Sequence, residues 1–129
     1  MVRQLVKSRK DCEMKPSEPI YEIQIERQVS VPMRDGTVLC ADVYRPKVEG
    51  TFPVLIERVA YELSRRCKAN GEYFASRGYV FVGQNVRGKF HSGGVFSVED
   101  DGWGVNQDGY DTVEWAGVQP WSNGQVGML

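Results

Sequence analysis

The sequence predicts an α/β fold, in which short apolar strands form a sheet entered through a hairpin and helices connect the later strands. Three observations predict it. Tyr21 to Val31 alternates apolar and polar residues with the period of two that marks a half-buried strand. Pro53 to Val59 (PVLIERV) and Tyr79 to Gly83 (YVFVG) are short apolar runs of the kind that lie between neighbouring strands. Helix signals follow each run, with glycine or proline as the stop.

In chain order, residues 1–19 mix charges with Pro16 and Pro19 and carry no sustained period, so they read as a mobile leader ahead of a single unit spanning 20–129. Tyr21, Ile23, Ile25, Val29 and Val31 form the apolar side of the first strand, interrupted at Arg27. Arg34-Asp35-Gly36 supplies the turn, and Val38 to Tyr44 returns as the second strand of an antiparallel hairpin. Pro46 to Gly50 breaks the pattern before the strand at Pro53 to Val59. Tyr61 to Ser64 reads as a loop. A helix is expected from about Arg65 to Arg77, with Cys67, Phe74 and Ala75 on one face and Gly78 as its stop, although Asn70-Gly71 lies within it.

After the strand at Tyr79 to Gly83 comes a long loop, then a second helix. Asp111 is a good N-cap, Glu114 completes an acidic variant of the capping box, and Tyr110 and Trp115 stand at the positions of a hydrophobic staple, so the helix is expected to begin near Thr112. Pro120 ends it. Ser122-Asn123-Gly124 is turn chemistry, and Gln125 to Leu129 begins another strand.

Composition bounds the function only broadly. The chain has 129 residues, of which 41% are hydrophobic and 26% charged, with a formal net charge of -1, so nucleic acid and anionic membrane surfaces are not expected partners. No apolar run reaches the roughly 18 residues of a membrane helix, and the start lacks the apolar core of a signal peptide, which predicts a cytoplasmic protein. Cys12, Cys40 and Cys67 are odd in number and widely spaced, the pattern of reduced thiols.

Several motifs invite chemistry and fall short of it. Gly83 to Lys89 fits the first seven positions of a phosphate-binding loop, but Phe90 stands where a hydroxyl must hold magnesium. A glycine-rich connection with Arg87 pairing to nearby acids is the better reading. His91 beside Ser92 has nothing to orient the imidazole as a base. Glu99, Asp100 and Asp101, with Asp108 and Asp111 beyond, lack the spacing of a calcium loop. No cofactor and no metal are implied.

Taken together, MRDGTVLCADVYRP (Met33 to Pro46), PVLIERVAY (Pro53 to Tyr61), YFASRGYVFVGQNVRG (Tyr73 to Gly88), SGGVF (Ser92 to Phe96) and DGYDTVEWAGVQPWSNGQVGM (Asp108 to Met128) resemble the amino-terminal part of the Xaa-Pro dipeptidyl-peptidase and cocaine-esterase (CocE/NonD) family. The resemblance implies an α/β-hydrolase catalytic domain acting on small ester, amide or peptide substrates through a Ser-His-Asp triad. It also implies that the strand beginning at Gln125 leads to a nucleophile elbow of the G-x-S-x-G type, a motif that residues 1–129 do not contain. The expectation is therefore a fragment with an incomplete α/β-hydrolase sheet, inactive by itself, with the strand Pro53 to Val59 lying between the fourth strand and a short stub at Gln125. The alternative is a complete short binding or structural protein whose open sheet edge is closed by a partner; oligomeric state is left open.

Of the site, the resemblance implies one residue here: Tyr61, matching a tyrosine whose hydroxyl helps form the oxyanion hole. Two departures accompany it. Val59-Ala60 stands where Thr-Pro is usual, removing a rigid turn, and Asn85 stands where an aspartate usually precedes Val-Arg-Gly, which is expected to leave Arg87 without a nearby carboxylate.

Overall fold

A computed structural model describes residues 16–98 and 105–129. Strand β1 (Ile23–Pro32) and strand β2 (Val38–Pro46) form the antiparallel hairpin. Its loop is closed by Met33 N donating to Thr37 O and Gly36 N donating to Met33 O, with Gly36 at a φ of 84°. That positive φ is why a glycine ends the turn. The break in alternation at Arg27 is a bulge: the register shifts between Glu26 and Val29, and Gln28 takes a φ of 52°. Asp42 on β2, buried beneath the bulge, accepts from Arg27 Nη1 and Gln28 N.

Strands β3 (Phe52–Val59), β4 (Val80–Asn85) and β5 (Ser122–Met128) complete a five-stranded sheet in the order β1-β2-β4-β3-β5, with β3 parallel to both β4 and β5. The third strand thus lies between the fourth and the fifth, as expected. Ser122-Asn123-Gly124 is not a turn ahead of β5 but its first residues. Their turn chemistry appears as a bulge, with the register shifting between Phe52 and Val54, Gly124 at a φ of 87°, and the Ser122 and Asn123 side chains accepting from the backbone two residues on.

The helices cover opposite faces. Leu39, Ala41, Val43, Val54, Ile56, Val80 and Val82 point to one side and pack with Ala116 of α3 (Asp108–Gly117). Tyr44, Val59 and Phe81 point to the other and pack with Leu63, Cys67 and Ala75, while Leu55 and Phe74 pack against that cluster. The helix expected from Arg65 to Arg77 is two, α1 (Leu63–Arg66) and α2 (Lys68–Ala75), and it begins inside what reads as a loop. Gly78 stops it at a φ of 91°. Gly71 belongs in the helix because a Cβ there would stand 2.5 Å from the Tyr44 ring. Buried Cys40 and Cys67 are both free.

Helix α3 starts one turn earlier than its capping signals suggest. Gln107, at a φ of 47°, precedes it without a side-chain cap. Asp111 instead accepts from Arg34 N and pairs with the Arg34 guanidinium at 2.7 Å. The staple does not form either: Tyr110 lies under Arg34, and the Trp115 ring meets Trp121 edge-on. Thr112, fully buried, ties the helix to β4 by donating to the Gln84 side chain at 3.0 Å.

Of the expected leader, residues 1–15 lie outside the described residues. Ser17 O accepts from Arg77 Nε, and Tyr21 N donates to Ser76 O, so the segment next to β1 lies along the end of α2.

Candidate active site

Because β3, β4 and β5 run parallel, their carboxyl ends at Val59, Asn85 and Met128 open on one edge of the sheet, where α/β folds gather their ligands. Tyr61 lies two residues past β3 on that edge. Its side chain is 67% exposed and lines a cleft of about 530 Å³ with Glu62, Arg65, Arg66 and Phe90. A second cleft, of about 370 Å³, shares Glu62 and Phe90 and reaches Arg27, Asp42, Asn85 and His91.

The turn that carries Tyr61 is held from β4. Val86 N donates to Val59 O at 3.0 Å. The Asn85 side chain, 1% exposed, donates through Nδ2 to Tyr61 O at 2.8 Å and reaches Val59 O at 3.4 Å. An amide can serve two carbonyls in this way and a carboxylate cannot. Asn85 in turn is fixed by its neighbours: its carbonyl accepts from Ser92 Oγ at 2.7 Å, and Ser92 Oγ itself accepts from Cys40 N at 2.8 Å. Ser92 is therefore a buried bridge between β2 and β4, and His91 beside it is exposed.

Arg87 does not lack carboxylates. It pairs with Asp108 through Nε and Nη2 at 2.8 Å, and with Asp35 through Nη1 at 2.8 Å and Nη2 at 3.1 Å; Nη1 also donates to Thr37 Oγ1 at 2.8 Å. One guanidinium thus joins the β1–β2 turn, the loop after β4 and the start of α3. Its hydrogen bonds to Asp108 and Asp35 raise the Arg87 pKa further, and they are the largest cause of an Asp35 pKa lowered to about 2. The seven residues that mimic a phosphate loop are a structural tie: Gly88, at a φ of 72°, has the backbone of Phe96 where a Cβ would project.

Beside the turn, buried Glu57 holds both short helices. It pairs with Arg66 at 2.8 Å, accepts from Asn70 Nδ2 at 3.1 Å, and lies 4.0 Å from Cys67 Sγ. Burial first, and the Glu57 charge second, push the Cys67 thiol up to about 12, so it is an inert packing group. Burial likewise raises the Cys40 thiol. Of the acidic residues considered for calcium, Asp108 and Asp111 are engaged by Arg87 and Arg34, while Glu99, Asp100 and Asp101 lie outside the described residues. Among the described residues no group of three or more His, Cys, Asp or Glu side chains is placed to hold a metal.

Sequence reasoning placed Tyr61 on this edge and missed Asn85 as its support. No local signal marked it, because its amide meets those carbonyls only once β3 and β4 lie parallel with Asn85 opposite Val59. It also missed Glu57, a charge inside an apolar run, and Phe90, which entered only as the residue that spoils a phosphate loop.

Residues 35–129 match the profile of the X-Pro dipeptidyl-peptidase (S15 family). Cocaine esterase of Rhodococcus sp. (strain MB1 Bresler) is 38% identical over 112 residues, which cover 81% of this chain and 19% of that protein. A CocE/NonD family hydrolase from Staphylococcus aureus superposes with a TM-score of 0.72 at 28% identity, covering 82% of this chain and 22% of that one. An aminopeptidase from a marine sediment Thaumarchaeota archaeon gives 0.65 at 27% identity, with 91% and 22% covered. The chain spans about a fifth of the length of the curated relatives it matches. The mixed five-stranded sheet is that of an α/β hydrolase, and the chain belongs to the X-Pro dipeptidyl-peptidase (S15) family.

Proposed function

We propose that residues 20–129 form the amino-terminal part of a serine acyl hydrolase that cleaves small esters, amides or peptides, and that Tyr61 contributes an oxyanion donor to it. The nucleophile, base and acid belong to sequence following β5, so residues 1–129 alone are inactive. The observation that carries the reading is the placement of Tyr61: its backbone is held by the buried Asn85 amide at the carboxyl edge of three parallel strands, while its side chain stays open to a cleft. A phenol at that edge can donate to the oxygen that gains charge as the serine hydroxyl adds to the acyl carbon and the base takes its proton. In the tetrahedral species this hydrogen bond strengthens, which lowers the barrier without tightening ground-state binding. Among the described residues no helix is long and apolar enough to cross a membrane, and the free thiols of Cys40 and Cys67 fit a reducing cytoplasm.

Two measurements test this. In the full-length protein, Tyr61→Phe is expected to lower kcat by roughly ten- to a thousandfold with KM little changed, the cost of one oxyanion donor. An unchanged kcat would make Tyr61 a rim tyrosine only. Residues 1–129 alone should take up no fluorophosphonate probe, and stoichiometric labelling of one of their serines would refute the division of labour.

A further inference from the structure

Asn70-Gly71 and Asn123-Gly124 are chemically alike, and the fold gives them opposite surroundings. With no side chain in the way, a glycine nitrogen can approach the amide carbon of the asparagine before it and displace ammonia, closing a succinimide ring. At Asn70 the fold withholds that approach. Its Nδ2 donates to buried Glu57 at 3.1 Å, and Gly71 N is committed to Cys67 O at 2.8 Å. Attack there requires α2 to open and Gly71 to leave the Tyr44 ring.

At Asn123 the surroundings favour it. Asn123 and Gly124 are both exposed in the bulge that begins β5, and Gly124 has a φ of 87° with open space where a side chain would stand. Asn123 Oδ1 accepts from Gln125 N at 2.9 Å, which folds the side chain back over the Gly124 peptide. The same N–H faces the oxygen that gains charge when its carbon is attacked. Gly124 N in turn donates to Ser122 Oγ at 3.1 Å, so the proton that must leave the nitrogen already has an acceptor.

We propose that Asn123 is a self-modification site, at which Gly124 N attacks Asn123 Cγ and converts the residue to aspartate and isoaspartate. The N–Cγ bond forms as the Gly124 proton, held by Ser122 Oγ, passes to hydroxide; the Cγ–Nδ2 bond then breaks, and Nδ2 takes a proton from water and leaves as ammonia. Water adds to either carbonyl of the succinimide and opens it. Amide and water thus become carboxylate and ammonium, with no change of oxidation state. The isoaspartyl product carries a new charge and an extra main-chain carbon. Both fall where the register shifts between Phe52 and Val54, so the modification loosens the start of the pairing between β3 and β5.

The test incubates the chain at mildly alkaline pH and follows tryptic peptides by mass spectrometry, with aspartyl and isoaspartyl forms separated by chromatography. Asn70 lies in peptide 69–77 and Asn123 in 90–129, so the two steps are read separately. Peptide 90–129 is expected to convert roughly tenfold faster than 69–77, whose helix must first open. In urea the two rates should converge. Asn123→Gln should stop the conversion of 90–129, because the longer side chain closes its ring slowly. Equal rates in the chain without urea, or conversion of 90–129 that survives Asn123→Gln, would overturn the proposal.

Discussion

The buried amide of Asn85 donates to the backbone carbonyl of Tyr61 at 2.8 Å and lies 3.4 Å from that of Val59. It thereby clasps a turn that has Val59-Ala60 where a proline would have stiffened it. Asn85→Ala is expected to lower stability by about 1–3 kcal/mol, because it takes the side-chain donor from Tyr61 O, while Val59 O keeps its bond from Val86 N. Asn85→Asp should cost at least as much at neutral pH, since a carboxylate offers those carbonyls no proton. Urea melts measure both. If Asn85→Asp matched the parent, the clasp would carry no weight.

Gly71 makes a sharper prediction, because local propensity and packing disagree there. Alanine improves an isolated helix by about 1 kcal/mol over glycine. Here its methyl would sit 2.5–2.6 Å from three atoms of the fully buried Tyr44 ring. Overpacking wins: Gly71→Ala is expected to destabilise by about 1–3 kcal/mol. The cost should shrink in a Tyr44→Val background, which removes the opposing ring. Additive effects in that double-mutant cycle would rule out the clash as the cause.

Asp35 should contribute to the acid limb of stability. Its folded pKa of about 2 lies below the ordinary carboxylate value, so between the two the unfolded chain binds more protons than the folded one. The contribution is complete above the ordinary value and is lost as pH falls through about 2. Asp111, lowered mainly by its hydrogen bond to Arg34, acts in the same direction. The melting temperature should fall from pH 5 towards pH 2, and less steeply in Asp35→Asn. A parallel fall in both proteins would detach Arg87 from the acid transition.

What could be read from the sequence was the pattern that period and chain order impose. Alternation from Tyr21 to Val31 located β1, with its interruption at Arg27 falling where the bulge lies; the apolar runs located β3 and β4, while the place of β3 between β4 and β5 came from the family resemblance. What could not be read was which partner a polar side chain takes when several are on offer. Asp111 has every local mark of an N-cap, yet its carboxylate goes to Arg34, 77 residues away in sequence. Arg87 has no acid at position 85, yet Asp35 and Asp108 reach it from two other elements. Local propensity assigns such residues by their nearest neighbours, whereas a charge-assisted pair is set by tertiary distance. At the site, the same limit hid Asn85, whose donor is defined only once β3 and β4 are parallel.

The last prediction concerns the outer edge of the sheet. β4 is paired on both sides over Phe81 to Gln84, by β2 and β3, whereas β3 is paired on both sides only over Val54 to Ile56, by β4 and β5. Amides of Val80 to Asn85 should therefore exchange slowest, and the burden of the edge falls on β5. The bulge at Ser122 to Gly124 blunts its first half. Its second half carries half-exposed Met128. Because Leu129 N donates inward to Ile56 O, alternation turns the Met128 N–H outward, where it can pair with another chain. Met128→Pro removes that donor without taking a β5–β3 hydrogen bond. Sedimentation at rising concentration should show the parent chain associating and Met128→Pro associating less, with both melting alike. If the substitution left association unchanged, the edge of β5 would not be the route by which copies meet.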